Sequence, residues 1–121
     1  MNFTQYLQEI SNNINRGSER SHYYALKNLI DSAMIGINAI IEERENQAGI
    51  PDFTVRRNDQ LIGYIEAKKI GEDLNKIKES DQLKKYLESS IGQNLILTNF
   101  LEFRWYQDGK LELFATLGRL K

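Results

Sequence analysis

PDFTVRRNDQLIGYIEAKK, residues 51–69, is the stretch whose reading decides this fold. Its two halves alternate in polarity and are separated by Asn58-Asp59, a two-residue turn signal of the kind that closes a β-hairpin. In a strand, residues two apart share a face. Phe53 and Val55 therefore form one apolar face of the first half, while Asp52, Thr54 and Arg56 lie on the other. In the second half Ile65 and Ala67 point one way, and Glu66 and Lys68 the other. Folding the hairpin at Asn58-Asp59 lets Asp52 and Glu66 meet at the end far from the turn.

Two carboxylates and an ammonium at one strand end suit metal-dependent phosphodiester hydrolysis. Mg²⁺ takes hard oxygen ligands and keeps several waters, so Asp52, Glu66 and the backbone carbonyl of Ala67 form a sufficient ligand set, with Mn²⁺ as a substitute. Lys68 is placed to orient or deprotonate the attacking water, or to stabilise charge developing on the phosphate. The sequence leaves the division of labour between Lys68 and the metal open.

Pro51-Asp52 followed by Glu66-Ala67-Lys68 resembles the motif of the PD-(D/E)xK nucleases, which have the restriction-endonuclease-like fold. Two flanking features match the RecB-like branch of that superfamily: Gln82-Leu83-Lys84-Lys85-Tyr86 fits its QxxxY element, and Ser18-Glu19 fits its upstream glutamate. The order of all four elements is what makes the signal specific. Residues 17 to 117 are more narrowly similar to the N-terminal nuclease domain of restriction enzymes fused to adenine-specific DNA methyltransferases. The resemblance implies an α/β fold with a mixed central β-sheet flanked by helices. It also implies a metal-dependent endodeoxyribonuclease of the type I/II restriction kind, acting in host defence on double-stranded DNA. Methyltransferase and specificity domains, in the same or an associated chain, would be its partners.

Length and composition fit one domain. A chain of 121 residues that is 40% hydrophobic buries roughly two-thirds of its unfolded surface, enough for a single core. Residues 1–121 are expected to form one nuclease domain, with a peripheral or interdomain N-terminal helix over 1–16 and the nuclease core over 17–117. The terminal run Leu-Gly-Arg-Leu-Lys reads as cut from a longer protein. Without cysteine, disulfides and thiolate metal sites are excluded, which agrees with a reducing compartment. No apolar run reaches membrane-spanning length and no signal peptide opens the chain, so a cytoplasmic location is expected.

A net charge of −1 predicts weak intrinsic DNA binding, because phosphate neutralisation supplies most sequence-independent affinity. Between residues 68 and 85, however, six lysines face four acidic residues. This reads either as a modest basic patch beside the site or as a solvated, ion-paired face.

Hydrophobic periodicity supplies the remaining elements. Phe3, Tyr6, Leu7, Ile10 and Ile14 mark a helix, and Ser18 caps a second that carries Tyr23, Leu26, Ile30 and Ala33 up to about Ile35. Glu19 lies one turn ahead of Tyr23 on that inward stripe. It pairs there with a metal or Lys68, or simply complements the helix N-terminus. Strands are expected over 37–43, 53–57, 61–69 and 95–98, with a polar connector over 71–79, a helix over 81–90, and a closing hairpin of 103–107 and 110–117 turning at Asp108-Gly109. The unbroken apolar run at 95–97 predicts a strand covered on both faces.

Gln82 and Tyr86, four apart on one helix face, are expected to position phosphate or water at the site rim. His22 and Trp105 read as packing residues, and Glu42 to Glu45 as a solvated strand end. Two other readings stand beside the restriction nuclease. One is a free-standing RecB-like nuclease or junction resolvase, disfavoured by the acidic balance. The other is a non-catalytic scaffold with the same fold, disfavoured by the intact acids and lysine.

Overall fold

The structure is a computed structural model, and it describes residues 1–14, 19–42, 49–77 and 80–117. The elements in order are α1 (Phe3–Ile14), α2 (Glu19–Asp31), β1 (Ile37–Ile41), β2 (Phe53–Arg57), β3 (Gln60–Ala67), α3 (Leu74–Ile77), α4 (Asp81–Glu88), a 3₁₀ turn (Ser90–Gln93), β4 (Asn94–Thr98), β5 (Glu102–Gln107) and β6 (Lys110–Thr116). The six strands form one sheet in sequential order. Every neighbouring pair is antiparallel except β3 and β4. That parallel pair requires a crossover, which α3 and α4 supply.

Both hairpins use two-residue turns with left-handed backbone. Asn58 and Asp59 have φ of 50° and 70°, and Asp108 and Gly109 have 51° and 81°, a geometry whose twist matches that of the strands it joins.

Each sheet face has its own core. On one, Phe53 and Ile65 pack with Tyr6 and Ile10 of α1, Leu26 of α2, and Phe100. On the other, Leu95, Leu97 and Tyr106 pack with Leu74 of α3 and with Leu83 and Tyr86 of α4. Helix α1 is thus more than a peripheral appendage, since Tyr6 and Ile10 are fully buried. Its start is closed by a reciprocal cap: the Gln5 N–H donates to Asn2 Oδ1, and the Asn2 N–H donates to Gln5 Oε1. As expected, β4 is covered on both faces, with Leu95 and Leu97 fully buried against one core and Ile96 packed on the other.

Several boundaries differ from the sequence reading: β3 ends at Ala67 instead of residue 69, and α4 at Glu88 instead of residue 90. Helix α2 stops at Asp31 instead of continuing to Ile35, because the chain must reverse before β1. Gly36 takes a φ of 88° in that reversal, leaving Met34 and Ile35 exposed. The polar connector contains the short helix α3, whose Leu74 is buried and whose start is held by Asp73 Oδ1 accepting from the Asn75 N–H. A polar composition hid this single anchoring leucine. The expected Ser18 cap and residues 43–45 lie outside the described residues. Among the described residues no helix is long and apolar enough to cross a membrane.

Candidate active site

The β2–β3 hairpin carries the site, and a β-bulge sets it. A plain two-residue turn would continue the pairing Arg57↔Gln60 and Arg56↔Leu61 until Asp52 met Ile65. The register instead shifts between Val55 and Arg56, giving Val55↔Gly63 and Phe53↔Ile65. A one-residue slip moves side chains to the other face. The bulge therefore places Asp52, just before Phe53, beside Glu66, just after Ile65.

The two acids are cross-tied through the backbone. The Asp52 N–H donates to Glu66 Oε1 at 3.2 Å, and the Ala67 N–H donates to Asp52 Oδ2 at 2.8 Å. Asp52 is 7% exposed and Glu66 2%. Holding two like charges this deep is costly without a compensating cation. Lys68 supplies one: its Nζ lies 3.3 Å from Glu66 Oε2 and donates to Gln82 Oε1 at 2.9 Å. Gln82 Nε2 in turn reaches the Tyr86 hydroxyl at 3.4 Å. Helix α4 presents Gln82 and Tyr86 on the face turned toward β3, with its start capped by Ser80 Oγ accepting from the Leu83 N–H.

The structure thus brings together Asp52, Glu66, Ala67, Lys68, Gln82 and Tyr86. Glu19 opens α2, but its side chain lies outside the described residues. Glu42 accepts a hydrogen bond from the Thr54 hydroxyl at 2.7 Å, which accounts for it without a role at the site. His22 is buried against the ring of Phe100 at 5.5 Å, and Trp105 Nε1 donates to Asn94 Oδ1.

One contributor was missed. The Thr98 carbonyl accepts from the Lys68 N–H at 2.8 Å, so the end of β4 fixes the backbone of the lysine. No local pattern signals this, because it depends on the parallel β3–β4 register.

The donor chemistry fits a hard divalent cation: carboxylate oxygens from adjacent strands at the end of β3. Among the described residues no three His, Cys, Asp or Glu side chains gather at one point, so a bound cation would complete its shell with a main-chain carbonyl and water. Beside Gln82 and Tyr86 a cavity of about 560 Å³ opens, lined also by Lys85 and Ser89. Lys69, Lys76, Lys84 and Lys85 are exposed, and none forms an ion pair with a described residue.

No curated protein matches the chain. Among solved structures it is similar to a chain in the cryo-EM structure of the DrdV–DNA complex, with a TM-score of 0.73 and 19% sequence identity over 97% of this chain. It spans 12% of the length of that neighbour, and at this identity the likeness establishes the α/β restriction-enzyme-like fold alone. Residues 2–112 match the sequence family described as type I restriction enzyme R protein N terminus. This chain belongs to that family.

Proposed function

We propose that this chain is the DNA-cleaving domain of a restriction enzyme and hydrolyses phosphodiesters with the help of Mg²⁺ or Mn²⁺. Asp52, Glu66 and the Ala67 carbonyl would hold the cation. When bound there, it would supply Lewis-acid stabilisation of the phosphate and lower the pKa of its water.

The chain's own groups do the positioning. The backbone ties between Asp52, Glu66 and Ala67 fix the carboxylates before substrate arrives. Lys68 presents its ammonium between Glu66 and Gln82, where a phosphate oxygen carrying developing charge or the attacking water would accept from it. In hydrolysis the water oxygen bonds to phosphorus as one P–O bond breaks, and the departing oxygen takes up a proton. Gln82, steadied by Tyr86, keeps Lys68 over the reacting centre, and the neighbouring cavity gives the nucleotide room.

The observation that carries this reading is the Lys68 bridge from the buried acid pair to α4. Exposed lysines 69, 84 and 85 provide modest electrostatic attraction to double-stranded DNA. The remaining affinity and all sequence choice are assigned to methyltransferase and specificity domains in the same or an associated chain.

The test is Mg²⁺ or Mn²⁺ binding by titration calorimetry beside supercoiled-plasmid cleavage, on the wild type, Asp52→Ala and Lys68→Ala. Metal binding lost with Asp52→Ala and cleavage lost with both is the expected result. Undiminished cleavage by Lys68→Ala, or no cation binding by the wild type at millimolar concentration with DNA present, overturns the reading.

A further inference from the structure

The two edges of the sheet are finished differently. At the β1 edge, α2 and the turn after it occupy main-chain groups that face away from β2. The Ala39 N–H donates to Asp31 Oδ1 at 2.7 Å, Lys27 Nζ donates to the Ala39 carbonyl at 2.6 Å, and the Ile37 N–H donates to the Met34 carbonyl at 3.2 Å. Lys27 and Asp31 are themselves ion-paired at 2.9 Å. A strand edge plugged in this way does not accept another strand.

The β6 edge has no such plug. All seven of its residues are exposed, and among the described residues no hydrogen bond from outside the β5–β6 ladder reaches residues 111–116. Leu111 is 47% exposed on this strand, and past it stand two more exposed apolar side chains, Leu113 at 61% and Phe114 at 64%. They project to opposite faces, Leu113 opposite Trp105 and Phe114 opposite Arg104.

We propose that β6 is a self-association surface, pairing antiparallel with β6 of a second copy of this chain about a twofold axis at Phe114. The strand is self-complementary in that register. Phe114 meets Phe114 on one face, Leu113 meets Ala115 on the other, Glu112 meets Thr116, and no like charges are opposed. An axis at Glu112 would oppose two carboxylates and run through the bulge that separates Leu111 from Leu113 in the β5–β6 register. Beside Phe114 lies a groove of about 650 Å³ lined by Leu83, Leu87, Arg104, Tyr106 and Leu111, which would receive the second copy's ring. A net charge of −1 sets up little long-range repulsion between copies. Pairing of this kind is isologous and closes after two subunits. It leaves both Glu66–Lys68 clusters on the same face of one continuous sheet.

Sedimentation of the 121-residue chain from micromolar to submillimolar concentration tests this, alongside amide exchange of β6. A concentration-dependent dimer is expected, with slowed exchange along β6. Phe114→Lys should weaken dimerisation by about tenfold or more, from loss of buried apolar surface. Ile35→Lys, at a side chain 97% exposed in the turn before β1, should leave it unchanged. Both substituted residues are exposed, so neither change threatens folding. A chain that stays monomeric throughout, whether or not an unrelated extended peptide pairs with β6, overturns the proposal. So does a dimer indifferent to both Phe114→Lys and Leu113→Lys.

Discussion

The Gln82 side-chain carbonyl accepts a hydrogen bond from the Lys68 ammonium across 2.9 Å, joining a residue of α4 to the end of β3. Lysine is a flexible point charge, and with Gln82 removed the Glu66 carboxylate is the one remaining partner shown to hold it. Gln82→Ala is expected to slow plasmid cleavage about 10- to 100-fold through misplacement of the ammonium. Cation binding measured by calorimetry should be retained, since neither carboxylate changes. Loss of cation binding in this variant would place Gln82 in the ligand set instead.

Asp52→Asn separates the structural duty of the side chain from its charge. The amide oxygen can still accept from the Ala67 N–H, and one of two buried like charges disappears. Stability is expected to hold or to rise by about 1 kcal/mol, the usual direction when a functional site is relieved of unfavourable charge. Asp52→Ala removes the acceptor as well and is expected to cost about 1–3 kcal/mol for the stranded N–H. Wild-type protein should melt at higher temperature when Mn²⁺ is added, because a ligand that binds only the folded state stabilises it. Both variants should lose that rise. Thermal melts with and without Mn²⁺ decide each point.

Deleting Ile62 should remove the bulge. Val55↔Gly63 and Arg56↔Leu61 leave Ile62 as the extra residue on β3, and its side chain is 38% exposed, so the core loses little by its removal. A regular ladder would then run from Arg56↔Leu61 straight to Val55↔Gly63 and Phe53↔Ile65, keeping Asp52 across from Glu66. Cation binding is expected to be retained, with circular dichroism still reporting a mixed α/β fold. Loss of cation binding by a deletion variant that keeps its fold would show that the bulge's local twist, and not the pairing alone, brings the acids together.

The bulge also shows how far local sequence carries. Period-two alternation and the Asn58-Asp59 turn were enough to assign the hairpin and the faces of Asp52, Glu66 and Lys68. Parity and turn length disagree by one residue, a conflict visible in the sequence that only a bulge resolves. The Gln82–Lys68 contact was legible as proximity, from helical spacing and motif order. Its form, an amide holding the lysine in place of a phosphate, depends on how α4 packs on the sheet. The Thr98 tie to Lys68 had no local signature, since it arises from the parallel pairing of β3 and β4. Helix α3 was hidden because one buried leucine among charged neighbours gives no periodicity to read.

Phe100 lies in the left-handed region at φ 75° while fully buried, a conformation that costs a bulky residue on the order of 1–3 kcal/mol unless its surroundings enforce it. Four hydrogen bonds do so at its turn: the Phe100 N–H donates to Thr98 Oγ1, Asn99 Oδ1 accepts from the Leu101 and Glu102 N–H groups, and the buried Tyr6 hydroxyl donates to the Phe100 carbonyl at 2.8 Å. Tyr6→Phe leaves that carbonyl without its buried donor and is expected to cost about 1–2 kcal/mol in urea denaturation near neutral pH.

Its effect on alkaline stability should be the opposite. Burial raises the Tyr6 phenol far above its ordinary pKa of 10.0, so the folded chain keeps a proton that the unfolded chain releases from about pH 10 upward. This contribution to stability is complete below that pH and declines as pH rises toward the folded value. Phenylalanine has no proton to lose. The stability gap between wild type and Tyr6→Phe should therefore narrow as pH climbs above about 10. A gap that stays constant through pH 11 would mean that Tyr6 ionises alike in the folded and unfolded chains.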